Sequence, residues 1–298
     1  MNLLEIKPEH SVYYYVIGSN LAFAIGSLIF AQYSRLNGAK WMNCIKALIA
    51  TFAFGVFNVF TFGFDFFNSL QFFGLFLSGF IGLGIGDIFL LKAFQHFGPG
   101  RTSIVFGFQP LIIGVLSFFL FGQAVSMNQM IAIAFFMGCL FVISFEQFKV
   151  NQSWEFKGLI AALIGVSMDA CGIVVTRYAF DLDPRLSSLE GNFYRCLGAL
   201  FAFVIISRFV SLELGKKFKK LSSRQKSMVV IGSLLGTFIS LGLYLNAVQT
   251  GHLASIAGIA ITGSLFSNSV ECLAEKKWPS VHLLISFALF LIGSQFLL

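Results

Sequence analysis

Residues 104–121 read IVFGFQPLIIGVLSFFLF, a run of 18 residues that is apolar except for Gln109 and Ser117. A lipid-facing β-strand alternates apolar and polar side chains, and this stretch has no such alternation. A run of about 18 or more apolar residues is typical of a helix that crosses the hydrocarbon core of a bilayer. The stretch therefore predicts an α-helical membrane protein and argues against a β-barrel.

The composition of the whole chain agrees with this prediction. Of the 298 residues, 57% are hydrophobic and 11% are charged, and the mean hydropathy is +0.85. Soluble domains are closer to half apolar and about a quarter charged. These values exclude a soluble enzyme, a disordered regulator and a nucleic-acid-binding protein, although the net charge of +7 would otherwise suggest nucleic acid as a partner.

Apolar runs between charged and turn residues predict ten transmembrane helices. The predicted spans are 12–34, 41–63, 72–96, 101–121, 128–146, 157–180, 188–208, 227–249, 252–273 and 280–297. All predicted connectors are short except 209–226. The predicted fold is an all-α polytopic membrane protein.

An internal repeat divides the chain into two halves. The segment from Asn43 to Lys46 resembles Asn192 to Arg195, which lies 149 residues later, and the same displacement takes Asn20 onto Asp169. We therefore predict one five-helix unit in residues 1–150 and a second in residues 151–298. Because five is odd, the second unit enters the membrane from the opposite side. Inverted repeats of this kind are typical of secondary transporters, with a substrate site near the midplane.

These motifs resemble the drug/metabolite transporter superfamily, in particular its ten-helix members with two EamA-type repeats. The resemblance depends on Gly18-Ser-Asn20, on the basic residue early in each second helix, on the small residues of the third helices, on Pro110 and on Gly122-Gln123. The chain differs from the family pattern at Gln123, Thr262 and Ala274. The resemblance implies a polytopic transporter, commonly an exporter of small metabolites, with both termini in the cytoplasm.

Charged residues inside the predicted spans are few. A charge at the centre of a spanning helix costs roughly 2.5 to 3.5 kcal/mol on insertion scales, so each one indicates a partner or a function. Asp87, Asp169 and Arg195 are predicted to lie deep, whereas Lys46 is near enough to a helix end for its side chain to snorkel. Asp169 is the strongest candidate, because a midplane carboxylate can bind a substrate ammonium group or exchange a proton.

Further polar residues complete the predicted substrate and ion site. The amide and the cation of each Asn-x-x-basic motif share a helix face and suit a carboxylate or phosphate oxygen. The alternative is that the basic residues close salt bridges to Asp87, Asp169 or Glu190. The full set of candidates is Asn20, Lys46, Asp87, Gln109, Asp169, Asn192, Arg195, Tyr244 and Asn246.

No cofactor or metal site is predicted. The five cysteines all lie inside predicted spans without CxxC spacing, which favours a packing role. Glycines 79, 82, 84 and 86 lack the strand and helix context of a nucleotide site, so we interpret them as close helix contacts. Gly84-Ile-Gly86-Asp87 also fits the GxGD pattern of intramembrane aspartyl proteases, a remote alternative.

The basic residues predict an orientation that conflicts with the resemblance. Fourteen of the 20 Lys and Arg residues lie in or beside connectors that follow odd-numbered spans, and three lie on the other side. The positive-inside rule then puts the odd connectors in the cytoplasm and both termini outside.

The sequence thus predicts a secondary transporter in the inner (plasma) membrane, working by alternating access. Its expected substrate is a small zwitterionic or amphipathic metabolite, exported in exchange for protons or another ion. The lipid bilayer is its environment, and it is expected to be a monomer or a homodimer. The alternative is a membrane scaffold or subunit without transport activity, whose central polar residues would pair off and leave no cavity.

Overall fold

The computed structural model describes residues 8–61, 69–150, 156–183 and 185–297. Every regular element in that part of the chain is a helix. The elements are α1 (Pro8–Asn37), α2 (Ala39–Thr61), α3 (Ser69–Gly79), a π-helical segment π1 (Phe80–Gly86), α4 (Asp87–Phe106), α5 (Gln109–Phe121), α6 (Met127–Val150), α7 (Phe156–Leu182), α8 (Ser188–Phe209), α9 (Leu214–Lys220), α10 (Ser223–Ser233), a second π-helical segment π2 (Leu234–Ile239), α11 (Ser240–Thr250), α12 (Leu253–Ala260), α13 (Gly263–Glu275) and α14 (Val281–Gln295).

The predicted fold class is confirmed, because the described residues contain eight helices long and apolar enough to cross a membrane. Two shorter apolar helices, Gln109–Phe121 and Val281–Gln295, correspond to the predicted fourth and tenth spans. Several predicted connectors are smaller than expected. Only Gly38, with a φ of +98°, separates α1 from α2.

Two predicted spans are interrupted in the middle, and this corrects the predicted boundaries. The predicted connector 97–100 is helical, and the chain breaks instead at Gly107 and Phe108, inside the predicted fourth span. Pro110 follows at once and cannot donate a helical hydrogen bond to the carbonyl four residues earlier. The predicted ninth span breaks likewise at Ile261 and Thr262. Turn-forming residues such as Gly98-Pro-Gly100 permit a helix to end without forcing it to do so.

A π-helical segment interrupts each third helix of the predicted repeats. π1 lies between α3 and α4, and π2 lies between α10 and α11. Short π-helical insertions widen a helix locally and are frequent at functional sites. Asn43 of α2 donates from Nδ2 to the carbonyl oxygens of Leu83 (2.9 Å) and Gly84 (3.2 Å) in π1.

Glycines let the backbones of neighbouring helices touch. A Cβ on Gly79 would overlap the carbonyl oxygen of Arg195, and one on Gly198 would overlap that of Phe76. Gly26 of α1 meets Gly236 of π2 in the same way. The predicted packing role of the glycine-rich third helix is confirmed at Gly79, and the contacts place α3 directly against α8.

Candidate functional site

A cavity of about 280 Å³ lies among the helices, and both halves of the chain form its wall. Seven of the nine predicted site residues line it: Asn20, Lys46, Asp87, Gln109, Asp169, Arg195 and Tyr244. Apolar side chains, among them Phe23, Leu83 and Phe106, form much of the remaining surface. The cavity thus combines two cations, two carboxylates and an apolar lining.

Lys46 and Asp87 form an ion pair in the cavity wall. The Nζ of Lys46 donates to Oδ2 of Asp87 at 2.5 Å, and the ring centroid of Phe30 lies 5.3 Å from the same Nζ. Both residues are more than nine-tenths buried. The ammonium group of Lys46 therefore has a carboxylate partner inside the protein and does not snorkel, and the alternative of a salt bridge to Asp87 is confirmed for this residue. Asp87 finds the interhelical partner that the sequence required.

Asp169 is held by a neutral partner. The Nε2 of Gln109 donates to Oδ2 of Asp169 at 2.5 Å. Gln109 is the first residue of α5, immediately after the break in the helix. The other carboxylate oxygen, Oδ1, faces Gly82 of π1. Each cavity carboxylate is thus bound by its own partner, which does not favour the shared proton of a GxGD protease.

Arg195 is almost completely buried and retains unused hydrogen-bonding capacity. Its Nε donates to Oγ of Ser78 at 3.1 Å, and Ser78 Oγ lies 2.7 Å from the carbonyl oxygen of Gly172. Its Nη1 is buried with no hydrogen-bond partner in the described part of the chain. Within the described residues no carboxylate lies within 4.0 Å of the guanidinium group. The predicted alternative of a salt bridge to Asp169 or Glu190 is not what the structure shows.

Two predicted site residues, Asn192 and Asn246, do not belong to the cavity lining. The Nδ2 of Asn192 donates to the carbonyl oxygen of Leu241 at 2.8 Å. Asn43, its counterpart in the first half, is occupied with π1 in a similar way. The amides of Asn43 and Asn192 therefore bind carbonyl groups of the third helices. They do not join a cation around a substrate anion, as the sequence predicted.

Asn20 contacts the second broken helix. Its Nδ2 donates to the carbonyl oxygen of Ile259 at 2.9 Å and to Oγ1 of Thr262 at 3.3 Å. Thr262 in turn donates from Oγ1 to the Ile259 carbonyl at 2.6 Å. Asn20 therefore satisfies backbone groups at the break between α12 and α13.

Hydroxyl groups in the lining were missed by the sequence analysis. Serine and threonine are common in membrane helices, where their hydroxyl groups bond to carbonyl groups of the preceding turn. Their presence in a span therefore does not indicate a binding site. The side-chain oxygens of Ser19 and Ser240 lie 3.0 Å apart, across the two halves. The lining hydroxyl residues are Ser19, Ser27, Thr102, Ser144, Thr237, Ser240, Ser264 and Ser267.

The cavity extends toward one membrane face. We call this the basic face and define it by Gly38, α9 and Lys276. Lys217 of α9 donates to the carbonyl oxygen of Asn37 at 2.9 Å, which brings α9 to the end of α1. Most lining residues lie in the middle of their helices or in the half that leads to this face, as in residues 19–31 of α1 and 140–144 of α6, whereas Arg195 and Tyr244 lie in the opposite half of theirs.

Polar contacts tie the helix ends together at the opposite face. The Nη1 of Arg177 donates to the carbonyl oxygens of Val248 (3.0 Å) and Gly251 (2.9 Å). Gln123 accepts from the backbone N–H of Leu253 through Oε1 at 3.2 Å, which joins two connectors. Gln123 stands where the resembled family usually has an acid, and its amide oxygen supplies the acceptor here. These contacts join the helix ends that lie away from the basic face.

Together the fold and the cavity define a multi-pass helical membrane protein with a polar chamber of small-molecule size. Residues 10–145 match the sequence profile of the EamA-like transporter family, which confirms the resemblance. The first half of the chain is therefore similar to members of the EamA-like transporter family.

Two further comparisons agree with this assignment. The chain is 32% identical to Protein PecM of Dickeya dadantii (strain 3937) over 104 residues, which is 35% of this chain and 34% of that protein. The match thus spans about a third of that relative's length. One solved crystal structure superposes with a TM-score of 0.75 over 96% of each chain at 15% identity. This structural similarity, at 15% identity, shows the fold alone.

Proposed function

We propose that the protein is a secondary transporter that exports a small zwitterionic or amphipathic metabolite across the inner (plasma) membrane in exchange for protons. The observation that carries the proposal is the cavity lined by Asp169 and by the unpartnered Nη1 of Arg195. An unsatisfied buried donor costs about 1 to 3 kcal/mol, and more when it is charged, so a ligand that supplies an acceptor binds favourably there.

The charges in the cavity favour a substrate that carries both signs. Lys46 and Asp87 neutralise each other, which leaves Asp169 and Arg195 as the remaining opposite charges of the lining. We assign the anionic group of the substrate to Arg195 and its ammonium group to Asp169. Ligand pockets for drug-sized molecules measure about 300 to 1,000 Å³. A cavity of about 280 Å³ therefore favours a small metabolite of amino-acid size.

We propose that residues 1–150 and 151–298 are the two inverted five-helix repeats. Corresponding features in the two halves support this: a π-helical segment in each third helix and a break in each fourth helix. The same backbone pattern closes both breaks, since Phe108 N donates to Val105 O at 3.2 Å and Thr262 N donates to Ile259 O at 3.0 Å. Interrupted helices at corresponding positions are typical of transporter substrate sites.

The face toward which the cavity extends supports the proposed direction of transport. That face carries most of the basic residues, and the positive-inside rule assigns such a face to the cytoplasm. We infer that the structure represents the cytoplasm-facing state of an alternating-access cycle. An exporter loads its substrate in this state.

A membrane scaffold without transport activity is the alternative. It requires the central polar residues to pair off without a cavity. The Lys46 and Asp87 pair fits that requirement, whereas the lining of the cavity by Asp169 and Arg195 does not.

Proteoliposome uptake tests the proposal. Purified protein is reconstituted with a pH gradient and exposed in turn to the twenty ¹⁴C-labelled amino acids. We expect gradient-dependent accumulation of at least one of them, lost in Arg195→Gln. Arg208→Gln, an exposed arginine at the end of α8, is the matched control and keeps uptake. Equal uptake by the parent protein and Arg195→Gln would contradict the assigned role of Arg195.

A further inference from the structure

The two broken helices are each held by a side chain from the other half of the chain. Asp169, in the second half, accepts from Gln109 at the start of α5, in the first half. Asn20, in the first half, donates to Ile259 and Thr262 at the break between α12 and α13, in the second half. Asn20 and Asp169 occupy corresponding positions on α1 and α7, 149 residues apart. The two contacts are therefore counterparts across the internal repeat.

The two contacts differ in one chemical property. An asparagine amide keeps its donors and acceptor at every physiological pH, so the Asn20 contact does not respond to protons. An ionised aspartate accepts hydrogen bonds, whereas the protonated acid carries an O–H donor. Protonation of Asp169 at Oδ2 would place that donor against the N–H donor of Gln109, and protonation at Oδ1 would leave Oδ2 as an uncharged acceptor. Hydrogen bonds to an ionised acceptor are stronger than those to a neutral one, so protonation at either oxygen weakens the existing contact.

We propose that the hydrogen bond between Asp169 and Gln109 holds the start of α5 and depends on the protonation state of Asp169. We call this contact the latch. The contact of Asn20 with Ile259 and Thr262 is its counterpart in the other half and does not depend on pH. Gln109 is then a positioning residue: it transmits the protonation state of Asp169 to the broken helix. A proton taken up by Asp169 weakens this contact and favours release of Gln109 and the first turn of α5. Loss of that proton restores the hydrogen bond.

The position of the latch connects it to substrate binding. Asp169 and Gln109 both line the cavity, and Phe106 lines it just before the break. Movement of α5 relative to α7 therefore changes the shape of the chamber itself. The regular helix is interrupted at this point, since Gly107 and Phe108 lie outside the helical elements.

Other charged or titratable groups face Asp169 across the cavity: Lys46 from α2, Asp87 from α4, Arg195 from α8 and Tyr244 from α11. Lys46 and Asp87 form a mutual pair. Arg195 stays charged throughout the physiological range. Asp87 is thus the other carboxylate of the cavity, and the experiment has to separate its titration from that of Asp169.

The latch rests on the proposed function, but it is testable without a substrate. Spin labels are placed on lipid-exposed positions of α5 and α7 (Val115→Cys with Tyr178→Cys) and, as the mirrored control pair, of α1 and α13 (Ile25→Cys with Leu273→Cys). Cys171 and Cys272, the two cysteines that are not buried, are first replaced by alanine. Distances within each pair are measured by pulsed electron paramagnetic resonance in nanodiscs.

We expect the α5 to α7 distance to change by about 2 Å or more, the size of ordinary helix shifts, as pH falls from about 8 to about 5. The α1 to α13 distance should stay constant. Asp169→Asn should abolish the pH dependence. A shift of the same size in both pairs, or a pH dependence that survives Asp169→Asn, would overturn the latch, and the second result would assign the titration to Asp87.

Gln109→Leu and Thr262→Val keep the test decisive even if Asp169→Asn fails to fold. In Gln109→Leu no side-chain contact remains to transmit the titration of Asp169 to α5, so the pH-dependent change of the α5 to α7 distance should be lost. Thr262→Val removes a comparable contact from the pH-independent counterpart and should leave that distance change as it is in the parent protein. A distance change that persists in Gln109→Leu would contradict the latch.

Uptake assays on the same purified proteins, reconstituted in proteoliposomes, separate this inference from the proposed function. If the parent protein shows the distance change but accumulates none of the twenty ¹⁴C-labelled amino acids along a pH gradient, the latch stands and that substrate assignment fails. Gradient-driven accumulation without any distance change would leave the proposed function intact and overturn the latch.

Discussion

Lys46 Nζ lies 2.5 Å from Asp87 Oδ2 in the wall of the cavity, although the two residues are 41 positions apart in the sequence. The ion pair joins α2 to the first residue of α4, directly after π1. It neutralises one cation and one anion of the site. Arg195, by contrast, has no such carboxylate partner within the described residues.

The Lys46 and Asp87 pair is expected to stabilise the fold. Lys46→Gln should lower the free energy of unfolding by about 3 kcal/mol, because Asp87 is left uncompensated in the membrane. Asp87→Asn should have a similar effect. The double variant, Lys46→Gln with Asp87→Asn, should recover most of the loss. Thermal melting in detergent measures all three, and a double variant no more stable than either single one would contradict this role.

Asp169 is expected to serve proton coupling rather than folding. Asp169→Asn keeps the side-chain shape and its capacity to bond with Gln109, but it cannot exchange a proton. The variant should keep its melting temperature and carry out substrate exchange, while losing accumulation along a pH gradient. Proteoliposome assays compare the two modes, with Glu213→Gln on the exposed connector as a charge-matched control. Undiminished accumulation by Asp169→Asn would remove this carboxylate from the coupling step.

Gly79 and Gly198 are expected to tolerate no side chain. An added methyl group would overlap the carbonyl oxygen of Arg195 or Phe76 and force α3 and α8 apart. Gly79→Ala and Gly198→Ala should each cost about 1 to 3 kcal/mol or more, as overpacked cores do. Gly215→Ala in α9 is the control, because nothing lies within 4 Å of its added methyl group. The melting temperature should fall for Gly79→Ala and for Gly198→Ala, and it should stay unchanged for Gly215→Ala.

The termini are expected to lie outside the cytoplasm. Fourteen basic residues lie in or beside connectors that follow odd-numbered spans and three lie on the other side, which predicts this orientation. The resemblance to ten-helix family members implies the reverse. Alkaline phosphatase fused to the C-terminus should be active, and a green fluorescent protein fusion at the same position should be dark. A fluorescent fusion would show that the family expectation prevails, and it would reverse the assignment of the cavity to the cytoplasm-facing state.

Hydropathy was enough to predict the helical class and the approximate course of ten apolar segments. Runs such as residues 104–121 carry that information locally, within a single stretch of chain. The break at Gly107 and Phe108 was not predicted, because Pro110 in a membrane helix is compatible with a kink, a break or neither. The second break and π1 contain carbonyl groups that find partners on other helices, Ile259 with Asn20 and Leu83 with Asn43.

The charged candidates Asp169 and Arg195, which the sequence singled out as charges within apolar runs, line the cavity. Their individual partners were not predictable. Asp87 and Lys92 are neighbours in sequence, yet Asp87 pairs with Lys46 and Lys92 lies over the ring of Phe89 at 5.0 Å. The choice depends on which helices cross, and a single sequence does not encode that choice in any local pattern. For the same reason Asn192, spaced like a ligand, binds the backbone of Leu241.

The backbone contact between Gly79 and Arg195 also constrains how the protein is made. The helix that contains Gly79 leaves the ribosome well before the one that contains Arg195, so its glycine surface first enters the bilayer against lipid. Assembly is complete only when α8 displaces that lipid. The two halves therefore mature together, and each depends during biosynthesis on the arrival of the other.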